Sequence, residues 1–256
     1  LITVMSQAGG GKSMFLGNVA TNMILDGKFV IIISLEMTEQ MYTSRIHSNL
    51  SEFHINTQQV HQTAIKSKVD KLKSLKNPML FIKEFPPNSI KTIHIENYIE
   101  KLVQKVGRNP DLIIVDYLNL LNANAKITST GTYEKIGEVS RDLRALSYKY
   151  CTVLTATQTT RSAYDISEAV SMSHVSESVG IAHTTDALFA LYKKLGDAEA
   201  NIIRMSILKN RFGAIGKQLS FNLDPDTLRI TEHTDTDEDE VTASSIVRNL
   251  KGMGTI

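Results

Sequence analysis

The chain has 256 residues, is 42% hydrophobic and 21% charged, and carries a formal net charge of +1. That describes an ordinary globular protein with room for one large α/β domain. Its longest apolar runs, such as "FVIII" (29–33), are far too short to cross a membrane, and a single cysteine, Cys151, leaves no internal disulfide and suits a reducing cytosol.

The first strand-like run, "LITVM" (1–5), leads into "SQAGGGKS" (6–13) and a helical pattern over 13–26, with no signal-peptide pattern. The loop matches the phosphate-binding pattern G-x-x-x-x-G-K-[ST], except that Ser6 stands where a glycine usually opens it. A small residue there is expected to make the same opening turn. Gly9, Gly10 and Gly11 let the backbone curl so that its N–H groups face phosphate oxygens. Lys12 supplies a point charge to the β- and γ-phosphates, the Ser13 hydroxyl suits Mg²⁺, and the helix start adds its positive dipole end. The alternative is a glycine-rich turn that holds no ligand. The strand before it and the helix after it favour a nucleoside triphosphate.

The next strand, "FVIIISLE" (29–36), ends on Glu36, a carboxylate able to take the proton of an attacking water, or else an acid favoured at a helix start. Helical patterns follow at 38–50 and about 57–75, then a strand at 78–85. Over 91–106, Ile93, Ile95, Ile99, Leu102 and Val106 share one helical face, and Gly107 marks a stop. "DLIIVDYL" (111–118) puts Asp116 at a strand end, the position of a metal-binding carboxylate beside a phosphate loop, or of a cap for the next turn.

A helix over 133–149 precedes the strand "CTVLTATQ" (151–158), where Cys151 reads as a buried, inert thiol. The strand ends on Gln158, whose amide can report the γ-phosphate, although a polar strand end is commonplace. Strands at 186–193 and 203–210 follow, the second running into "LKNRFG". Its Lys209 and Arg211 can reach the γ-phosphate of a neighbouring subunit, or form an ordinary surface pair. Strands alternating with helices predict a mostly parallel α/β sheet covered on both faces, with the later strands as an antiparallel edge.

From Glu232 the chain turns acidic: "EHTDTDEDE" (232–240) holds six acidic residues and no Lys or Arg. Taking those six from the total of 27 leaves 21 against 28 basic residues. The bulk of the chain is thus biased toward polyanions, and residues 232–256 are expected to form a flexible acidic tail, solvated or docking a partner. The first residue is Leu1, already inside a strand, so the sequence is expected to be a piece of a longer protein.

Seven motifs in order carry a resemblance: "SQAGGGKS", "SLEMTEQMYTSR", "DLIIVDYL", "IGEVSRDLRALS", "TATQTTRS", "SESVGIAHTTDALFAL" and "LKNRFG". Together they resemble the RecA-like motor domain of the DnaB-type replicative helicases, closest to the T-even phage branch, across residues 1–231. The resemblance implies a RecA-like P-loop fold and a hexameric ring of identical subunits. Such a ring encircles one DNA strand and moves 5′ to 3′, using ATP and Mg²⁺ at subunit interfaces. By position, Lys12 and Ser13 are the loop lysine and metal ligand, Glu36 the catalytic glutamate, Asp116 the second metal ligand and Gln158 the γ-phosphate sensor. Lys209 and Arg211 are the trans-acting lysine and arginine finger. Arg45 stands where the family has an arginine one helix after "SLEM".

DNA-contacting loops should fall at about 122–134 and 160–178, with Lys126 and Arg161 as their cations. Implied partners are single-stranded DNA at a replication fork, a primase, a helicase loader and a single-strand-binding protein, in a phage-infected or bacterial cytoplasm. The family's N-terminal domain, which helps build the ring, is not within these 256 residues. The alternative is a RecA-type recombinase forming filaments on DNA; "SLEM" and the late "KNR" favour the helicase.

Overall fold

The run "FVIIIS" becomes β2 (Phe29–Ser34), with all six residues buried. Its side chains alternate between two separate cores: Ile31 and Ile33 on one face of the sheet, Val30 and Ile32 on the other. A strand covered on both faces has no polar side to show, which is why it reads as a continuous apolar run. The computed structural model describes residues 1–125, 132–158 and 179–233.

Around β2, in chain order, come β1 (Ile2–Ser6), α1 (Lys12–Leu25), α2 (Glu39–Ser51), α3 (Gln62–Lys76), β3 (Met79–Glu84) and α4 (Thr92–Val106). Then follow β4 (Leu112–Asp116), α5 (Thr132–Lys149), β5 (Thr152–Gln158), α6 (Val179–Thr184), β6 (Ala187–Tyr192), β7 (Ile202–Asn210), β8 (Gln218–Asp224) and β9 (Arg229–Glu232). They form one nine-stranded sheet in the order β3-β2-β4-β5-β1-β6-β7-β8-β9 among the described residues. The first six strands of that order run parallel and the last three antiparallel. One face is covered by α1 and α2 through Leu16, Ala20, Ile24, Tyr42 and Ile46. The other is covered by α4, α5 and α6 through Ile95, Ile99, Val139, Leu143 and Ile181.

All seven predicted strands and five predicted helices are present, with shifted ends. Glu36 lies two residues beyond β2 rather than inside it, and the third helix begins at Gln62 rather than near 57. On α4 the buried face is Ile95, Ile99 and Leu102, whereas Ile93 in the first turn is 42% exposed. Cys151 sits just before β5 and is only half-buried; burial still pushes its thiol up to about 12. The hairpin β8–β9 and the short α6 were not expected. Lys126, Arg161 and residues 234–256 of the expected tail lie outside the described residues.

The β8–β9 turn reaches across to α1 and α2. Asn18 Nδ2 donates to the Leu228 carbonyl at 2.7 Å, Asn49 Nδ2 donates to the same oxygen at 3.1 Å, and Asn18 Oδ1 accepts from Asn49 Nδ2 at 2.7 Å and from the Ile230 N–H at 2.9 Å. Both asparagines are buried, and these bonds hold Leu228 with φ of +57°.

Candidate nucleotide site

Four parallel strands end side by side at one edge of the sheet, where ligands of open α/β sheets bind. Register pairs Ser34 of β2 with Asp116 of β4, and Ser6 of β1 with Gln158 of β5. Above these ends lies a cleft of about 520 Å³ whose walls include Gly9, Lys12, Ser13, Glu36, Arg45 and Gln158.

The loop after β1 curls as its glycines allow. Gly9 and Gly11 have φ of 70° and 91°, the left-handed region that other residues avoid. A Cβ on Gly10 would meet Ser6 Oγ at 1.9 Å. Ser6 itself is the last residue of β1, buried and extended, so this position needs no glycine; its hydroxyl fills the space that Gly10 leaves. Gly11 then caps α1, and the first helical residue is Lys12.

Lys12 is buried, and its ammonium donates to the Ser6 and Gln7 carbonyls at 3.2 and 2.8 Å. Burial lowers its pKa, while Glu36 and Asp116 pull it back up. It also lies 5.8 Å from the Tyr117 ring centroid. A partly desolvated ammonium at the loop is a favourable contact for a phosphate group, and the two carboxylates beside it repel one unless a divalent cation stands between them.

Asp116 is fully buried, and neither of its carboxylate oxygens has a hydrogen-bond partner of good geometry. Burial pushes its pKa from 3.8 up to about 6; Glu36 adds to the rise, while the nearby Ser13 and Tyr42 hydroxyls and Lys12 oppose it. An orphaned carboxylate facing a hydroxyl is a hard-oxygen donor set that fits Mg²⁺. No group of three or more His, Cys, Asp or Glu is gathered for a metal among the described residues. The remaining ligands of such an ion would be phosphate and water oxygens, as Mg²⁺ prefers.

This arrangement has a measurable cost. A carboxyl whose folded pKa exceeds its unfolded value binds protons more tightly when folded, so folding gains as pH falls and loses as pH rises through about 6. Asp116→Asn is therefore expected to stabilise the ligand-free chain at pH 8 by ~1–3 kcal/mol, a gain that shrinks toward pH 4. Thermal melting across that pH range checks it, and an unchanged or lower melting point at pH 8 contradicts it.

Glu36 is exposed and lines the cleft. Its loop is pinned from below: Ser34 Oγ donates to the Met37 carbonyl at 2.6 Å and accepts from the Met37 N–H at 3.1 Å. The Leu35 N–H donates to the Asp116 carbonyl at 2.8 Å. The Thr38 side chain caps α2, which carries Met41 and Arg45 along the cleft wall and Tyr42 into the core toward Asp116. Gln158, at the end of β5, is steadied through Asn119, whose Oδ1 accepts from Thr157 Oγ1 at 2.9 Å. Tyr42, Tyr117, Asn119 and Leu228 escaped the sequence reading, because long-range packing rather than local pattern brings them here.

Lys209 and Arg211 are not in this cleft. Asn210 pairs with Ala187, which pairs in turn with Ile2 at the start of β1. The pair thus lies at the opposite end of the sheet, roughly 13 Å along β1 from the phosphate loop at ~3.3 Å per residue. Within one chain they do not reach the cleft that holds Lys12.

Comparison with known proteins agrees with this architecture. The sequence model of the DnaB-like helicase C-terminal domain matches residues 1–253. A DnaB-like replicative helicase of Enterobacteria phage T4 is 29% identical over 229 residues, covering 86% of this chain and 48% of the phage protein. A probable plasmid replicative DNA helicase of Chlamydia psittaci is 27% identical, covering 86% and 49%. The chain thus spans about half the length of these relatives. A solved structure of a DnaB-like replicative helicase, studied with primase, superposes with a TM-score of 0.76 at 20% identity over 91% of this chain and 57% of that one. The fold is RecA-like, and the chain belongs to the DnaB-like helicase C-terminal domain family.

Proposed function

We propose that this chain is the ATP-driven motor of a replicative DNA helicase, working as a hexameric ring that moves 5′ to 3′ on single-stranded DNA. One observation carries the reading: the cleft holds a phosphate loop, a metal-type carboxylate and a candidate base, while the cations that would complete it sit at the far end of the same sheet. A site divided in this way is completed by a second copy in head-to-tail contact, the kind of interface that closes into rings. The recombinase alternative is not favoured by the family match.

In this reading, the loop amides of Gly9, Gly10 and Gly11, with Lys12, hold the β- and γ-phosphates. Ser13 and Asp116 hold Mg²⁺, which when bound supplies positive charge at the phosphates. Glu36 accepts the proton of the attacking water, and its exposed side chain at the cleft lets that water reach it. Gln158 contacts the γ-phosphate and passes its loss to the segment after β5. Arg45 lies on the cleft wall, and Lys209 and Arg211 act on the γ-phosphate of the neighbouring chain. Lys126 and Arg161 belong to the proposed DNA-contacting segments, and the residues after β9 to a tail, which the sequence alone begins at Glu232. Single-stranded DNA, a primase, a loader and a single-strand-binding protein are the proposed partners. No described helix is long and apolar enough to cross a membrane, and a cytoplasmic place of action fits the proposed DNA substrate.

The test is ATP hydrolysis per chain as protein concentration rises, with and without single-stranded DNA. A specific rate that climbs with concentration, and again with DNA, is expected. A flat, DNA-indifferent rate sinks the reading.

A further inference from the structure

Arg211 is exposed and Lys209 half-buried, yet neither is loose. The Arg211 N–H donates to the Asp186 carbonyl at 2.9 Å, and the Arg211 guanidinium donates to Asp186 Oδ1 at 3.1 Å. One residue therefore grips Arg211 by backbone and side chain at once. The grip on the side chain is single, through one guanidinium nitrogen, and the Arg211 side chain remains 45% exposed.

Asp186 is itself braced from two sides. Its Oδ1 also accepts from Arg144 on α5 at 3.0 Å. Its own N–H donates to the Leu1 carbonyl at 2.8 Å, at the head of β1. Arg144 is fixed in turn by the Thr184 carbonyl and by Tyr148 Oη at 2.8 Å. Lys209 donates to the Ala182 carbonyl at the end of α6. Asp186 thus ties the end of β7 to α5 and to β1, the strand that leads into the phosphate loop.

A free arginine side chain carries ~2 kcal/mol of rotamer entropy, which it loses when it docks. Holding it extended beforehand removes part of that loss and aims the remaining donors outward. A surface ion pair of this exposure adds little to stability, so its consequence lies in geometry. We propose that Asp186, braced by Arg144, is a positioning residue that presents Arg211 to the nucleotide cleft of the neighbouring chain. This rests on the trans-completed site proposed above. Asp186 never touches the nucleotide in its own chain or the next; it acts through Arg211.

The expected consequence is specific to trans action. Asp186→Asn should lower kcat for ATP about tenfold or more, since misplacing a catalytic group by ~1 Å can cost up to a hundredfold. KM for ATP should barely move, because the cleft of the substituted chain is untouched. Mixing Asp186→Asn chains with an equal amount of Glu36→Gln chains should raise the rate above that of Asp186→Asn alone. The Glu36→Gln chain is dead at its own site but offers a correctly held Arg211 to the intact cleft beside it. Arg144→Gln should give the same pattern, which keeps the test open if Asp186→Asn folds poorly.

An unchanged kcat in both variants overturns the proposal. So does a loss that mixing fails to restore while a control mixture of Arg211→Ala with Glu36→Gln recovers activity, since Asp186 would then act within its own chain. If the control mixture also stays inactive, the trans-completed site itself fails, and the role of Asp186 falls with it.

Discussion

Glu36→Gln is expected to reduce ATP hydrolysis by roughly 10²–10⁴-fold while leaving nucleotide binding intact, the range lost when a general base is removed. Glu36 is exposed at the mouth of the cleft, held there by the Ser34–Met37 bonds rather than by contacts of its own carboxylate. The amide keeps its size and shape, so the Lys12 and Asp116 side of the site stays assembled. Losing the charge also removes an influence that raises the pKa of both Lys12 and Asp116. The Lys12 ammonium should therefore deprotonate at somewhat lower pH, and Asp116 should ionise more readily. Single-turnover hydrolysis, with fluorescent-nucleotide binding on the same sample, separates the outcomes. Intact hydrolysis would remove Glu36 from the chemistry, and loss of binding would make its role structural.

Arg211→Ala is expected to cost about 10³-fold or more in the assembled protein, the scale of an arginine finger supplied in trans. The same change should barely move the melting temperature, because an exposed ion pair is worth ~0–1 kcal/mol and the partner Asp186 keeps its bond to Arg144. A large loss of activity without loss of stability is what a group acting on another chain produces. A melting point lowered by many degrees would assign Arg211 to the fold instead.

The phosphate loop was legible because its chemistry is local: three glycines, a lysine and a serine lie within five positions, between a strand and a helix. Asp116 and Gln158 were legible as polar residues ending apolar strands. The parallel sheet followed from strands with no polar face, such as β2, whose neighbours Ile31 and Ile32 serve opposite cores. Local pattern failed where the fold is half-solvated or assembled at long range. The strands β8 and β9 sit at the sheet's open edge with mixed burial, so their apolar periodicity is weak. Leu228 reaches the cleft only because Asn18 and Asn49, 210 and 179 residues away in the chain, bind its carbonyl. Ile93 fits the helical stripe of α4 on paper but falls in the first turn, where that face has run past the core. No periodicity could have marked Asp186 either, since its bonds run to the Leu1 carbonyl, Arg144 and Arg211, far apart in the chain.

If two copies of this chain build one hydrolytic site, as proposed, a mixture of Glu36→Gln and Arg211→Ala chains, each inactive alone, regains steady-state ATP hydrolysis. In a randomly mixed head-to-tail assembly, about a quarter of the sites pair an intact Glu36 with an intact neighbouring Arg211. Recovery of hydrolysis toward that fraction is the predicted result. A mixture as inactive as its components, at concentrations where mixed assemblies form, would contradict it.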